Sequence, residues 1–135
     1  MIIDWGEGPL SVGEYLELRH LAGLSAFSPE GARIGLANSL CIVTARRAGE
    51  LVAMGRLVGD GGVFVQVVDI AVQPQHQRKG LGKALMTRLM NWSDKNLPRG
   101  CHLSLIADPG AEALYAQYGF RSRHGMVRLS TGELD

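Results

Sequence analysis

Apolar and polar positions along the chain fall into a helical opening, a β-rich middle and an alternating second half. In SVGEYLELRHLAGL, residues 11–24, Val12, Tyr15, Leu16, Leu18 and Leu21 recur at roughly helical spacing. Ser11 before them and Glu14 three residues on predict a capping box. Pro29 after Ser28 predicts a second helix running to about Asn38. Residues 40–47 and 50–58 flank Ala48-Gly49 and predict a hairpin, and Asp60-Gly61-Gly62 predicts a second turn into a strand over 63–72. Leu81, Leu85, Leu89 and Trp92 form the apolar stripe of a helix over about 80–95, with Lys83, Thr87, Arg88 and Asn91 outward. CHLSLIA, 101–107, alternates like a strand. A helix is expected from Pro109 to Tyr118, closed by Gly119, with FRSR and MVRLST as final strands. The predicted order is ααβββαβαββ, a mixed α/β (α+β) domain with an antiparallel meander and a right-handed parallel crossover at 63–107.

Length and composition narrow this little. A chain of 135 residues with 46% hydrophobic content reads as one folded domain over 1–135. A net charge of +1 gives no general case for nucleic acid or an anionic membrane as partner. Cys41 and Cys101 suggest neither a disulfide framework nor a zinc site, and His20, His76, His102 and His124 have no metal spacing, so no metal is expected. Asp4 and Glu7 stand where a signal peptide would need an apolar core, and no apolar run reaches the length of a membrane span. The default expectation is a cytoplasmic protein.

The candidate chemistry begins in VQPQHQRKGLGKAL, residues 72–85. A helix N-terminus carries unpaired N–H groups and a positive dipole end, which attract anions. Gly80 and Gly82 let a phosphate approach that backbone, and Arg78 and Lys79 add charge-assisted donors. A P-loop would need glycine at 77, which is Gln, and Ser or Thr at 84, which is Ala. A dinucleotide fingerprint would need a third glycine at 85, which is Leu. Taken alone, the segment is equally readable as a glycine-eased turn with solvated charges.

Gln77-Arg78-Lys79-Gly80-Leu81-Gly82 resembles the [QR]-x-x-G-x-[GA] acetyl-CoA signature of the GNAT superfamily of N-acetyltransferases. Asp69-Ile70-Ala71-Val72 with Pro74 before it, and Lys83-Ala84-Leu85-Met86 after it, are similar too. So is Ala111-Glu112-Ala113-Leu114-Tyr115-Ala116-Gln117-Tyr118-Gly119-Phe120, which resembles the family's A-x-x-L-Y-x-x-x-G-F helix end. The resemblance covers nearly the whole chain. It implies a GNAT fold, a mostly antiparallel sheet flanked by helices, with acetyl-CoA as cosubstrate. Backbone groups of Ile70, Ala71 and Val72 would then pair with pantetheine, and Gln77, Arg78, Lys79, Gly80, Leu81, Gly82 and Lys83 would hold the pyrophosphate.

Acetyl transfer requires a neutral amine, a stabilised oxyanion and a proton for the leaving sulfur. The resemblance assigns that proton to Tyr115, with Tyr118 expected to pack and the backbone near Ala71 or Val72 expected to hold the oxyanion. Asp69 is placed by alternation on the face of Val63, Val65 and Val67, where a carboxylate without a partner would suit a base or an ammonium anchor. The alternative is a structural carboxylate bonded to backbone or to Arg56. Gln66 stands near a position where some relatives carry a catalytic glutamate, and an amide cannot take that proton. Asp108 replaces an asparagine found in many relatives; it is expected to cap the helix at Pro109 and to contact the pantetheine arm as an acceptor only. Phe27, Arg33, Asn38 and Arg56 are candidate acceptor contacts, and Arg19 and Asp60 candidates for the mouth. The expected partner is a small primary amine, with a homodimer possible in this fold. A peptide or protein acetyltransferase and a non-catalytic acyl-CoA-binding module are the alternatives.

Overall fold

The computed structural model describes residues 2–132. Two compact units divide the chain, one running through Leu105 and the other from Ile106. The first contains β1 (Asp4–Glu7), α1 (Val12–Leu21), α2 (Pro29–Ala37), β2 (Cys41–Arg47), β3 (Glu50–Gly59), β4 (Phe64–Val72), a 3-10 turn (Pro74–His76), α3 (Leu81–Asn96) and β5 (His102–Ser104). The second contains α4 (Glu112–Ala116). The sheet runs β1-β2-β3-β4-β5, antiparallel except for the parallel β4–β5 pair, which α3 connects.

Local signals set the element boundaries. Ser11 and Glu14 form the expected reciprocal box, and Ser28 caps α2 with Pro29 in its first turn. Ala48 and Gly49 both take positive φ, 50° and 83°, the left-handed pair that lets a two-residue hairpin follow the twist of its strands. Asp60 Oδ1 accepts from the amides of Gly62, Val63 and Phe64 at 2.8–3.1 Å, so this carboxylate organises the β3–β4 turn. Gly59 cannot be replaced without disturbance, since a Cβ there would lie 2.3 Å from the Phe64 carbonyl oxygen.

Each face of the sheet is covered by different helices. Leu10, Tyr15, Leu18 and Ala32, in or beside α1 and α2, pack with Leu51, Met54 and Ala71 of the sheet. On α3, Leu81, Leu85, Met86 and Leu89 are buried, and Trp92 is only half-buried. Gly55 marks where α3 crosses β3, since an added Cβ would meet Leu89 Cδ1 at 3.0 Å and Ile70 Cδ1 at 2.7 Å. α1 buries Arg19 (7% exposed) and leaves Leu21 at 43%, a departure from the apolar pattern that reflects the site below.

The order of elements differs from expectation at both ends. β1 is a short additional strand whose sequence, DWGE, has no apolar alternation; it pairs with β2, and Arg88 of α3 lies 4.4 Å over the Trp5 ring. β5 is three residues long because its ladder with β4 covers only Phe64–Gln66. FRSR and MVRLST form no strands: alternation without a partner to close a ladder does not make one. Among the described residues, no helix is long and apolar enough to cross a membrane.

Glu14 also ties α1 to β2, accepting from Arg46 Nη1 at 2.6 Å and Nη2 at 3.1 Å. The Arg46 bonds lower its carboxyl from the ordinary 4.5 to about 2. A depressed folded-state pKa contributes stability above the unfolded value that disappears as pH falls through the folded one. Glu14→Gln keeps the box and loses the ion pair. At neutral pH it should cost at most about 1 kcal/mol, because the pair is partly exposed. In thermal melts, the difference from wild type should shrink between about pH 4.5 and about pH 2.

Candidate active site

The strand–helix connection ends in an open, uncapped helix N-terminus. After Val72, the Gln73 amide still bonds the Val52 carbonyl at 2.8 Å; Pro74 then ends the ladder and opens the 3-10 turn. Gln77 Nε2 donates to the Val72 carbonyl at 3.1 Å, tying the loop back to the strand end. Arg78 and Gly80 both adopt left-handed backbone, φ 62° and 82°, which turns the chain into α3. No side chain caps that helix, whose first turn closes with the Ala84 amide on the Gly80 carbonyl at 3.0 Å. A Cβ at Gly80 or Gly82 would meet nothing within 4 Å, and Gly82 has ordinary backbone. The protein's own packing therefore does not require glycine at 82; an approaching ligand would.

Gln77, Arg78, Lys79 and Lys83 are exposed around this end, whereas Leu81 is buried and offers only backbone. An open groove of about 610 Å³ continues along α3 past Gly80, Lys83, Ala84, Thr87, Arg88 and Asn91. In the connection itself, Gln73 Oε1 and His76 Nδ1 are buried without a hydrogen-bond partner among the described residues.

The strand leading into this loop offers backbone as well. The β4–β5 ladder stops at Gln66–Ser104, and no strand among the described residues pairs with that edge of Val67–Val72. Ile70 is half-buried with its Cδ1 beside Gly55, and Ala71 is buried at 2%; both side chains are apolar, so the polar groups they offer are those of the main chain.

Asp69 is not where simple alternation puts it. The β3–β4 register jumps from Arg56↔Val68 to Met54↔Ala71, so Gly55 faces two residues, Asp69 and Ile70. This is a β-bulge, and Asp69 occupies it with φ 59°. Val67 pairs with Leu57, which shares the α3 face with Gly55. Asp69 points to the opposite face, where Oδ2 accepts from Tyr15 OH at 2.7 Å and from Arg56 Nε at 2.7 Å, and Oδ1 accepts from Arg19 Nη1. The carboxylate is 3% exposed. It therefore has partners, Arg56 among them, and the premise of an unpartnered base fails.

Most of the residues assigned to the acceptor have structural duties. Arg56 belongs to this cluster, Arg33 pairs with Glu30 at 2.6 Å on the surface of α2, and Asn38 Nδ2 donates to the Ile34 carbonyl at 2.8 Å. Phe27 is 49% exposed and lies on the Arg19 guanidinium at 4.2 Å. It lines a cavity of about 100 Å³ with Leu16, Arg19, His20, Leu24, Ser25 and Ala26. Tyr15 is legible in the sequence only as an apolar helix position; its hydroxyl meets a residue 54 positions away, for which the sequence carries no signal.

In the second unit, α4 begins at Glu112 with Ala111 as its cap residue, so Asp108 does not cap it with its side chain. Pro109 and Gly110 (φ 88°) form a turn that delays the helix. The Tyr115 ring meets Phe120 edge-on at 6.5 Å, and Gly119 (φ 88°) ends the segment. Burial and the Asp108 carboxylate raise the Tyr115 phenol above its usual pKa. Among the described residues, no three His, Cys, Asp or Glu side chains are grouped to hold a metal.

Comparison with known proteins agrees with this arrangement. Residues 12–120 match the model of the Acetyltransferase (GNAT) family. The chain is 37% identical over 71 residues to GCN5-related N-acetyltransferase 1, chloroplastic, of Arabidopsis thaliana, covering 53% of this chain and 35% of that protein. It is 35% identical over 81 residues to Serotonin N-acetyltransferase 2, chloroplastic, of Oryza sativa subsp. japonica, covering 60% and 40%. The chain spans well under half the length of either curated relative. A crystal structure of a protein of unknown function and probable acetyltransferase from meticillin-resistant Staphylococcus aureus superposes with a TM-score of 0.89 at 33% identity, covering 95% of this chain and 99% of that one. With the uncapped glycine-lined helix end and the unpaired strand edge before it, these matches place the chain in the GNAT family of acetyltransferases.

Proposed function

We propose that this chain transfers an acetyl group from acetyl-CoA to the primary amine of a small molecule, by direct attack within a ternary complex. The observation that carries the reading is the α3 N-terminus: uncapped, open at Gly80 and Gly82, and ringed by Gln77, Arg78, Lys79 and Lys83. Backbone N–H groups and cations in that arrangement suit a pyrophosphate. The main chain of Ile70–Val72 then pairs with the pantetheine arm, and amides there receive the thioester oxygen as it gains charge.

In the reaction the amine nitrogen bonds to the thioester carbonyl carbon, the C–S bond breaks, and an amide and free coenzyme A thiol result. One proton must leave nitrogen and one must reach sulfur. We assign the second to Tyr115, on its place in the A-x-x-L-Y motif and because a phenol carries its proton at neutral pH and can give it to a thiolate. The first goes to solvent water, since the Asp69 side chain is 3% exposed and enclosed by Tyr15, Arg19 and Arg56. Two observations support a small acceptor: the cavity beside Phe27 is only about 100 Å³, and one relative is named for serotonin, itself a small primary amine.

Calorimetry with acetyl-CoA should show one site per chain; the absence of heat at high protein concentration would remove the reading. Thiol release should then appear with small amines and exceed that with lysine peptides of equal concentration; the reverse ranking would make a peptide the acceptor. Gly82→Asp meets no steric obstacle in the protein and should fold normally. It should weaken acetyl-CoA binding by about 10- to 100-fold, by setting a carboxylate in the phosphate site. Tyr115→Phe should lower kcat by about 100-fold or more with cofactor affinity nearly unchanged; equal losses in both would mean that the ring only packs.

A further inference from the structure

Four elements, α1, α2, β3 and β4, meet at the Asp69 cluster. Arg56 Nη1 donates to the Gly35 carbonyl at 3.0 Å and to Ser39 Oγ at 2.7 Å, while its Nε holds Asp69. Arg19 donates from Nε and Nη2 to the Ser25 carbonyl at 3.2 and 2.8 Å, and from Nη2 to Ser25 Oγ at 3.2 Å. Tyr15 donates to Asp69 and accepts from Arg56 Nη2 at 3.4 Å. The residues at the centre are 1–8% exposed, apart from the backbone of Asp69. One bulged residue of β4 is thus fastened to β3, to α1 and the loop after it, and to the end of α2.

A non-glycine residue with φ near +60° needs support, and Asp is among the few types that tolerate it. The bulge redirects the main chain immediately before Ile70–Val72, the segment that the proposed function sets against the acyl arm. The loop held by Arg19 carries Ser25 and Phe27, which line the small cavity on the α1 side. The cavity wall and the bulge are therefore tied to the same carboxylate.

We infer that the Tyr15–Arg19–Asp69–Arg56 clasp is a positioning device, which holds the bulged backbone before Ile70–Val72 in register with the acceptor wall. All four are positioning residues that act through the main chain and through the Ser25–Phe27 loop. Their role differs from that of the phosphate end, where Gly80 and its neighbours bind but do not align. The inference rests on the proposed acetyl transfer for its kinetic consequences, and on the bulge alone for its conformational ones.

Two variants test it in the 135-residue chain. Tyr15→Phe keeps the buried ring and removes one hydroxyl. Arg56→Lys keeps the charge but cannot reach Asp69, Gly35 and Ser39 at once. For each we would measure melting temperature, the Kd for acetyl-CoA, kcat and amine KM well below the melt, and amide exchange of Ile70–Val72 without ligand. The expected result is a Kd within about threefold of wild type, kcat reduced by about tenfold or more as misalignment predicts, and faster exchange at Ile70–Val72. Unchanged kcat in folded variants, or equal losses in Kd and kcat, would overturn the inference. If wild type binds no acetyl-CoA, the proposed function fails, and the exchange data still judge the clasp: unchanged exchange refutes it and faster exchange upholds its hold on the bulge.

Discussion

A single buried carboxylate between two guanidinium groups is the constraint on which the site's architecture depends. Asp69 is 3% exposed at its side chain, and Arg19 and Arg56 reach it from α1 and β3. Two cations against one anion leave one excess positive charge in a poorly solvated place, which is costly without dense hydrogen bonding. The surrounding acceptors, Ser25, Gly35 and Ser39, supply it. Removing one member of such a group commonly costs about 3–5 kcal/mol, far more than replacing the whole by packed apolar residues. A chain that keeps this arrangement gains a defined geometry in exchange, here a bulge that an uninterrupted ladder would erase.

The bulge stands just before two features of different kinds. Beyond it β4 has one edge on β3 and, among the described residues, no strand on the other; then comes an uncapped helix whose glycines leave room for a ligand. Phosphate recognition by helix amides needs open space and positive potential. Acyl transfer needs alignment to within a fraction of an ångström. In the proposed reading, the first requirement falls to the exposed residues of the loop and the second to the buried residues of the clasp, and the two sets adjoin along one strand. Gly55 serves the far face, where the absence of a Cβ leaves room for both Leu89 of α3 and Ile70 of β4.

Features dictated by near neighbours along the chain are legible in the sequence. Ser11 with Glu14, Ser28 with Pro29, Ala48-Gly49 and Asp60-Gly61-Gly62 each carry a local backbone instruction, and each marks the boundary expected of it. The turn into α3 at Gly80 is equally readable, because left-handed backbone at a helix start is a local demand that glycine meets. The bulge is not: VFVQVVDIAV carries no break in its strand pattern, and aspartate adopts left-handed backbone without announcing it. The clasp joins residues 15, 19, 56 and 69, whose proximity depends on how α1 lies on the sheet. The same holds for β1, which exists because β2 offers an edge, and for FRSR and MVRLST, whose alternation finds no ladder. Pairing is a property of two segments, and one segment's pattern records only half of it.

The central claim is that the strand edge at Ile70–Val72 and the helix end at Gly80–Lys83 form one acyl-CoA site. Amide hydrogen exchange of the whole chain, with and without saturating acetyl-CoA, tests it most directly. The account predicts slower exchange at both segments together, with the β1–β2 ladder unaffected. Protection at only one of the two, or at neither, would contradict it.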